Sequence, residues 1–190
     1  MPSPVGHALG GAIVSLVMAP KGLGAWGPPL RPGASAWQAL GPGRNALTLL
    51  VIAALLPDID FAWGGHNRET HSLGAAVLAG LAVLAYNRGK NPRLALAVTL
   101  AWFTHILFDW LGSDDTPPLG VMALWPLTST FYFADAFVFE AISRRYWLPN
   151  FVTHNAWAVT REILILGPPL LLLTALRWRG RRRSRPPGTT

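Results

Sequence analysis

Two aspartates follow an apolar run of the chain in a pattern that suits metal binding. Asp58 and Asp60 come directly after Pro57, which removes a backbone donor and biases the residue before it away from helix, so a helix should end here. In an extended segment, carboxylates two residues apart point to the same side and can reach one cation. We therefore predict that Asp58 and Asp60 are metal ligands, with two solvated acids at a helix end as the alternative.

Two histidines precede the next apolar run. His66 and His71 are five residues apart, which places them about 140° apart on an ideal helix. They can share a site only if His66 lies in the incoming loop and the helix begins near His71. Neutral imidazole is a common ligand of zinc and related metals. We predict both histidines as metal ligands, and a pair of interfacial histidines is the alternative.

A third motif places a histidine and an aspartate four residues apart. His105 and Asp109 then lie on one face of a helix, one turn apart, and can reach the same ion. An aspartate near the middle of a membrane costs about 2.5 to 3.5 kcal/mol unless it is paired or bound to metal. Both are predicted ligands, with a structural hydrogen bond between helices as the alternative. His7, at the mouth of the first apolar run, and Asp114 complete the predicted ligand set.

The amino-acid composition of the chain limits which metal ligands and nucleophiles such a cluster can contain. The chain has no cysteine, which excludes thiolate ligands and cysteine nucleophiles. Histidine and aspartate suit divalent ions, and zinc is predicted, with manganese or iron as alternatives. A bound ion would lower the pKa of water towards about 7 and polarise an ester or phosphoester oxygen. The predicted catalytic residues are Asp58, Arg68 near the anionic group of the substrate, and Glu69 as a proton shuttle.

Five apolar runs must position these motifs. Hydrophobic residues make up 51% of the chain, and each run has 11 to 15 residues, so each needs flanking residues to reach the roughly 20 that a full membrane span requires. The predicted fold is all-α: a polytopic membrane bundle of about five membrane-embedded helices, with a helical or loop cap over the site, in a single domain of residues 1–176. The runs are residues 8–18, 46–56, 73–86, 94–108 and 163–176.

The positive charge is concentrated at the C-terminal end. The net charge is +7, and six arginines lie between residues 177 and 185. Under the positive-inside rule this run is a cytoplasmic anchor that contacts lipid headgroups, not a nucleic-acid surface. Alternating the five runs across a bilayer from that end places all nine carboxylates and all five histidines on the non-cytoplasmic face. We predict a multi-pass membrane protein with its site on that face and a disordered cytoplasmic tail, residues 177–190.

Two segments outside the apolar runs also carry expectations. Residues 22–43 are rich in glycine, proline and tryptophan, which is typical of an interfacial loop with tryptophans at headgroup depth. Residues 131–142 are rich in aromatic side chains and are expected to form a helix that lies across the site as a lid.

Taken together, these motifs resemble the family of membrane-bound, metal-dependent hydrolases typified by the bacterial inner-membrane protein YdjM. The resemblance covers roughly residues 6–140 and implies a helical hydrolase of the inner membrane that uses histidine and aspartate around several metals, broadly like zinc-dependent phospholipases C. The family usually has arginine directly after its first histidine, where this chain has Asn67, with Arg68 one place later. The matching pieces are Gly6-His7, Leu56-Pro57-Asp58-Ile59-Asp60, the frame His66-x-x-x-Thr70-His71-Ser72, His105-Ile106-x-x-Asp109 and Gly120-Val121-x-x-Leu124-Trp125-Pro126.

The function predicted from these observations is hydrolysis of a phosphoester or lipid-linked ester by metal-activated water, with the lipid bilayer and a lipid or phosphoester substrate as partners. The alternative is a non-enzymatic metal-binding or ion-transport membrane protein, in which the same residues form an ion pathway. A carrier should show polar residues continuing through the apolar runs to the other face. The few that occur favour hydrolysis: Ser15, Thr48, Thr99, Thr104 and Thr174.

Overall fold

The computed structural model describes residues 1–18, 46–63, 65–115 and 117–183, and it is all-helical over those ranges. Two 3-10 helices, Leu56–Trp63 and Glu69–His71, lie between the second and third α-helices. The predicted interfacial loop, residues 22–43, and the end of the predicted tail, residues 184–190, lie outside the described residues. The five α-helices are α1 (Pro4–Met18), α2 (Ala46–Leu55), α3 (Leu73–Tyr86), α4 (Pro92–Trp110) and α5 (Phe151–Arg183).

The helices pack around α1, which contacts α2, α4 and α5, while α3 packs against α4. Small residues allow close approach: a Cβ atom at Gly11 would lie only 2.5 Å from the carbonyl oxygen of Leu50. The turn between α3 and α4 ends at Asn91, whose side chain accepts a hydrogen bond from the Leu94 amide at 3.0 Å, an N-cap that fixes where α4 begins. The core at the centre is built largely from alanine, valine and leucine side chains.

The prediction of about five membrane-embedded helices is wrong. Within the described ranges, only α5 contains a segment long and apolar enough to cross a membrane, Phe151–Arg179. Helices α1 and α3 have 15 and 14 residues, which gives them lengths of about 22 and 21 Å against a hydrocarbon core of about 30 Å. The short apolar runs are only partly buried against one another: in α2, Leu50, Ala53 and Ala54 are buried in the protein core, whereas Leu49 and Ile52 are exposed. The predicted topology, in which the five apolar runs cross the bilayer in alternating directions, is therefore wrong as well.

Helix α5 differs from the other four. Only 11% of its apolar window is buried, so most of its hydrophobic surface faces outward, unlike a core helix. It also continues through Arg183, into the segment predicted as a disordered tail. Helix α5 contacts α1, which ties it to the rest of the fold.

The region between α4 and α5 is a loop cap. The lid helix predicted for residues 131–142 is not formed, because the backbone groups of this segment bond to other segments. Val121 and Tyr132 exchange two backbone hydrogen bonds of 2.8 Å, and the amide of Phe139 donates to Leu111 at 3.2 Å. Phe139 is buried and its ring lies 5.0 Å from that of Phe108. The cap is therefore pinned to the C-terminal end of α4.

Candidate metal centre

The segment after α2 does not extend at Pro57 as predicted; it forms the 3-10 helix Leu56–Trp63. With three residues per turn, side chains two positions apart point about 120° away from each other. Asp58 is partly exposed and lines a cavity, whereas Asp60 is buried. The expectation that both carboxylates point to the same side is therefore wrong, and the two have different environments.

Asp60 lies behind His71. One carboxylate oxygen, Oδ2, is 3.1 Å from His71 Nδ1 and accepts a hydrogen bond from the Thr70 hydroxyl at 3.1 Å. The other oxygen is 3.3 Å from Nδ1 of His66. Burial raises the pKa of Asp60, but the contacts with His66 and His71 outweigh it and hold that pKa well below its usual value. A carboxylate that holds Nδ1 of a histidine orients the ring and leaves Nε2 for a metal.

His105 is oriented in the same way from the opposite side. Its Nδ1 lies 2.7 Å from the carbonyl oxygen of Ala54, the residue before the end of α2, so Nδ1 carries the proton and Nε2 is left as a lone pair. Asp109 follows one turn later on α4, and its Oδ2 is 3.0 Å from that Nε2. The ring of His7 stacks on His105 with centroids 3.7 Å apart.

Four ligand atoms converge, and we call the set the His/Asp tetrad: Nε2 of His71, Nε2 of His105, Oδ1 of Asp58 and Oδ2 of Asp109. The two nitrogens are 3.1 Å apart. Asp58 is 3.6 Å from each nitrogen, and Asp109 is 3.4 Å from His71 and 3.0 Å from His105. A tetrahedral zinc ion with ligands at about 2.0 to 2.1 Å requires ligand separations of about 3.3 to 3.4 Å. Five of the six separations among these atoms, 3.0 to 3.6 Å, are thus close to those that one four-coordinate ion requires.

The carboxylate of Asp109 gives an independent test of fit. Among the described residues, neither of its oxygens has a hydrogen-bond partner, although both are buried. Burial raises the pKa of Asp109, but His105 and His7 lower it well below the usual value, so the group is charged. Because its nearest ionisable neighbours are the ring nitrogens of His105, His71 and His7 at 3.0 to 3.4 Å, a cation bound between these groups would satisfy the carboxylate better than the histidines do. The cluster can thus hold a metal ion.

His7 and His66 flank the tetrad. His7 Nε2 lies 3.4 Å from the second oxygen of Asp109, and its Nδ1 is buried without a hydrogen-bond partner among the described residues. His66 Nδ1 lies 4.0 Å from Asp58 Oδ1. Two separate groups of three each offer ligand atoms that lie within 4.8 Å of one another: His7 with His105 and Asp109, and His66 with Asp58 and His71. Each group contributes two of its residues to the tetrad.

Helix α5 fixes the position of His7 through Glu162. The Ser3 amide donates to Glu162 Oε1 at 2.5 Å, and the Ser3 hydroxyl donates to Oε2. The backbone at Gly6 passes so close that a Cβ atom there would lie 2.9 Å from the same carboxylate. A buried carboxylate requires a partner, and here that partner is Ser3, directly before α1. Helix α5 therefore holds the start of the helix that carries His7.

A cavity of about 400 Å³ opens beside the tetrad. Its metal-side wall is formed by His7, Asp58 and His66, and its outer wall comes from the cap. This gives a small molecule access to the exposed side of Asp58. The charged cap residues that line the cavity are Asp114, Asp115, Arg144 and Arg145.

Three predicted site residues are not brought into the cluster. Arg68 and Glu69 are each about half exposed, pair with each other at 3.7 Å and do not line the cavity. Asp114 lies on the cavity wall, where its Oδ2 is 3.3 Å from the Asn67 amide nitrogen and 3.2 Å from the Gly120 backbone nitrogen. It belongs to neither histidine–aspartate group within the described part of the chain.

The structure adds two residues that the sequence prediction missed. Arg144 lines the cavity from the cap, and Glu162 holds the start of α1. The signal for Arg144 was a pair of arginines directly before Tyr146 and Trp147, in a segment whose neighbours in space could not be read from periodicity.

The protonation of His71 predicts a proton-linked metal affinity. Burial lowers the pKa of His71, but Asp58 and Asp60 outweigh it and raise the pKa to about 9, so the metal-free protein carries a proton there at pH 7. A metal must displace that proton, and we expect the apparent zinc affinity to rise about tenfold per pH unit between pH 6 and 8. Titration calorimetry in two buffers of different ionisation enthalpy should show release of a proton at pH 7. Affinity that does not change over this range would contradict the assignment.

Comparison with known proteins agrees with this architecture. A family model described as YdjM inner membrane protein matches residues 1–183, which includes α1 to α5 and every residue of the tetrad. No curated protein matches the chain, and no solved structure matches it. The family and the spanning helix α5 together assign the protein to a membrane. The chain belongs to the YdjM inner membrane protein family.

Proposed function

We propose that this protein is a membrane-bound, metal-dependent hydrolase that cleaves an ester or phosphoester with metal-activated water. The observation that carries the proposal is the His/Asp tetrad, whose atom separations suit one zinc-like ion and whose buried Asp109 carboxylate forms no hydrogen bond with any residue that the structure describes. Zinc is the proposed ion, because two imidazoles and two carboxylates in a tetrahedral arrangement suit it. Manganese and iron are the alternatives.

The residues around the tetrad have separate roles in this proposal. Asp58, His71, His105 and Asp109 hold the ion, Asp60 orients His71, and His7 faces the second oxygen of Asp109, where an additional ion would share that carboxylate. When bound, the ion supplies a Lewis acid and lowers the pKa of a coordinated water. The open side of Asp58 gives substrate access to that position.

His66 is the proposed proton carrier. Its Nδ1 is held by Asp60 at 3.3 Å, and the ring lines the cavity with its side chain 19% exposed. A histidine held at Nδ1 by a carboxylate presents the lone pair of Nε2, which can accept a proton from the attacking water. Glu69, predicted as the shuttle, pairs with Arg68 outside the cavity, and we assign neither residue a step.

The orientation of α5 supports a site on the non-cytoplasmic side. Its C-terminal end carries the arginine run, which the positive-inside rule assigns to the cytoplasm. Its N-terminal end, Phe151, follows Tyr146 and Trp147, aromatic side chains that favour the membrane–water interface. The cavity lies beside this end, since Arg144 and Arg145 line it. A substrate presented at headgroup depth, such as a lipid phosphoester, is the natural choice.

The test is to purify the full chain in detergent, measure bound zinc, manganese and iron by elemental analysis, and assay phosphodiester and phospholipid hydrolysis. We expect bound metal, loss of hydrolysis on chelation and recovery on adding the metal back. Bound metal with no hydrolysis of any ester would support the alternative of a non-enzymatic metal-binding or transport protein. Protein that takes up no metal would reject both.

A further inference from the structure

Arg144 faces the cavity from the cap side. The guanidinium carbon of Arg144 lies 4.2 Å from the centre of the Phe61 ring, and its Nη2 is 3.3 Å from His66 Nε2. Phe61 in turn stacks on His66, with ring centroids 3.9 Å apart and planes within 23°. A cation over an aromatic face is attracted to it, so this stack holds the head of Arg144 beside the histidine that closes the metal-side wall.

Arg144 forms no ion pair with a carboxylate of the described residues. Within the described residues it has no carboxylate oxygen within ion-pair distance, whereas its neighbour Arg145 lies 3.8 Å from Asp115 and Arg68 lies 3.7 Å from Glu69. The remaining acid of the outer wall, Asp114, lies within hydrogen-bond distance of Asn67 and Gly120. Arg144 is therefore a cation directed at a cavity whose nearby acids have other partners.

A guanidinium in this position suits a particular chemical group. Its planar fork matches two oxygens of a phosphate, and it stays charged at any pH that the protein meets. A neutral carboxylate ester has no anionic oxygen to pair with it. A phosphoester would meet the proposed ion on one side and the Arg144 fork on the other, and both would stabilise the same negative charge.

We propose that Arg144 binds the phosphate oxygens of the substrate and makes the site selective for phosphoesters over neutral esters. The proposal rests on the proposed hydrolase function and names its substrate class. The phosphate can belong to a lipid headgroup or to a soluble phosphoester. Because Arg144 is two residues from Tyr146 and seven from Phe151, where the spanning helix begins, the headgroup is the source that we assign.

The first experiment measures binding, so that it stands apart from catalysis. Zinc-loaded protein in detergent is titrated with inorganic phosphate for wild type, Arg144→Gln, Arg144→Lys and the control Arg88→Gln, an exposed arginine in the turn between α3 and α4. Loss of a charged hydrogen bond should weaken phosphate binding roughly 10- to 150-fold in Arg144→Gln. Arg144→Lys should recover part of the affinity, and Arg88→Gln should match wild type. Equal affinity in wild type and Arg144→Gln, at equal zinc content, would overturn the proposal.

The second experiment uses turnover to identify the substrate class and its source. Arg144→Gln should raise KM for a phosphodiester by a similar factor, and this loss should be much larger than any change in the hydrolysis of a neutral p-nitrophenyl ester. An equal loss on both substrates would show a structural role and overturn the selectivity. For wild type, a higher kcat/KM on phospholipid in vesicles than on a soluble phosphodiester supports the headgroup source, and the reverse order overturns that source. If wild type hydrolyses no ester but binds phosphate, and Arg144→Gln loses that binding, the proposed hydrolase function would be rejected. The anion site at Arg144 would stand.

Discussion

Replacing Asp109 with asparagine should abolish metal binding and hydrolysis while leaving the helical fold in place. The carboxylate lies 3.0 Å from His105 Nε2 and 3.4 Å from His71 Nε2, and it has no hydrogen-bond donor within the described ranges. An amide offers a weaker, uncharged ligand and places an NH₂ group among nitrogens that should bind the same ion. We expect zinc affinity to fall by more than the roughly 10- to 100-fold that is typical of losing an outer-shell partner.

A matched control separates this effect from general damage. Asp135→Asn changes an exposed carboxylate of the cap in the same way and should keep wild-type zinc content and activity. Circular dichroism and thermal unfolding of the metal-free proteins should show that Asp109→Asn remains folded. A folded Asp109→Asn protein that binds zinc like wild type would remove Asp109 from the site.

Replacing Asp60 with asparagine should have the second largest effect, through orientation and not through ligation. Asp60 Oδ2 holds Nδ1 of His71 at 3.1 Å and Oδ1 holds Nδ1 of His66 at 3.3 Å. Asparagine can keep one contact at most with its single oxygen, so His71 loses its fixed ring orientation and its basicity. Zinc affinity should fall roughly 10- to 100-fold, less than in Asp109→Asn, and excess zinc should restore occupancy.

Thr70→Val is the graded control for Asp60. It removes the hydroxyl that donates to Asp60 Oδ2 at 3.1 Å and that also lies 3.1 Å from His71 Nδ1, but it leaves the Asp60 carboxylate and its own contacts with both histidines in place. A neutral hydrogen bond contributes about 1 kcal/mol, so the loss of zinc affinity should be several-fold at most. If Asp60→Asn and Asp109→Asn lose affinity equally, and excess zinc restores neither, then Asp60 is itself a ligand and its assigned role is wrong.

Much of the helical framework was readable from the sequence because its signals are local. Pro57 marks the end of α2, Asn91 caps α4 before a proline, and the apolar runs fall within the five helices. The four-residue spacing predicts one helix face for His105 and Asp109, and α4 has that geometry. That the two residues bind metal stays a prediction.

The features that the sequence did not reveal depend on distant contacts or on the exact local conformation. Whether the segment after Pro57 extends or coils into a 3-10 helix decides whether Asp60 faces the ion or lies behind His71, and proline permits both. The apolar runs resembled membrane spans in composition, and only the helix lengths in the structure separate α5 from the shorter apolar helices. Glu162 meets Ser3 across 159 positions of the chain, and no local pattern announces such a contact.

The conformation of the cap also could not be predicted from local sequence patterns. Its path from Leu111 to Asn150 has no helical or alternating periodicity, and it is fixed by single backbone contacts such as those between Val121 and Tyr132. The position of Arg144 follows from that path. The arginine next to the cavity is thus not Arg68, which is adjacent in sequence to the histidine motif, but a residue 78 positions away from His66.

The measurement that tests the central claim most directly is X-ray absorption spectroscopy of the zinc-loaded protein, with the metal content determined in parallel. The His/Asp tetrad predicts a first shell of nitrogen and oxygen at about 2.0 to 2.1 Å, with the multiple-scattering signal of two imidazoles and no sulfur. His71→Ala should remove one imidazole from that signal. Zinc that shows no imidazole in its first shell, or an unchanged spectrum in His71→Ala, would contradict the claim that these four residues form the metal centre.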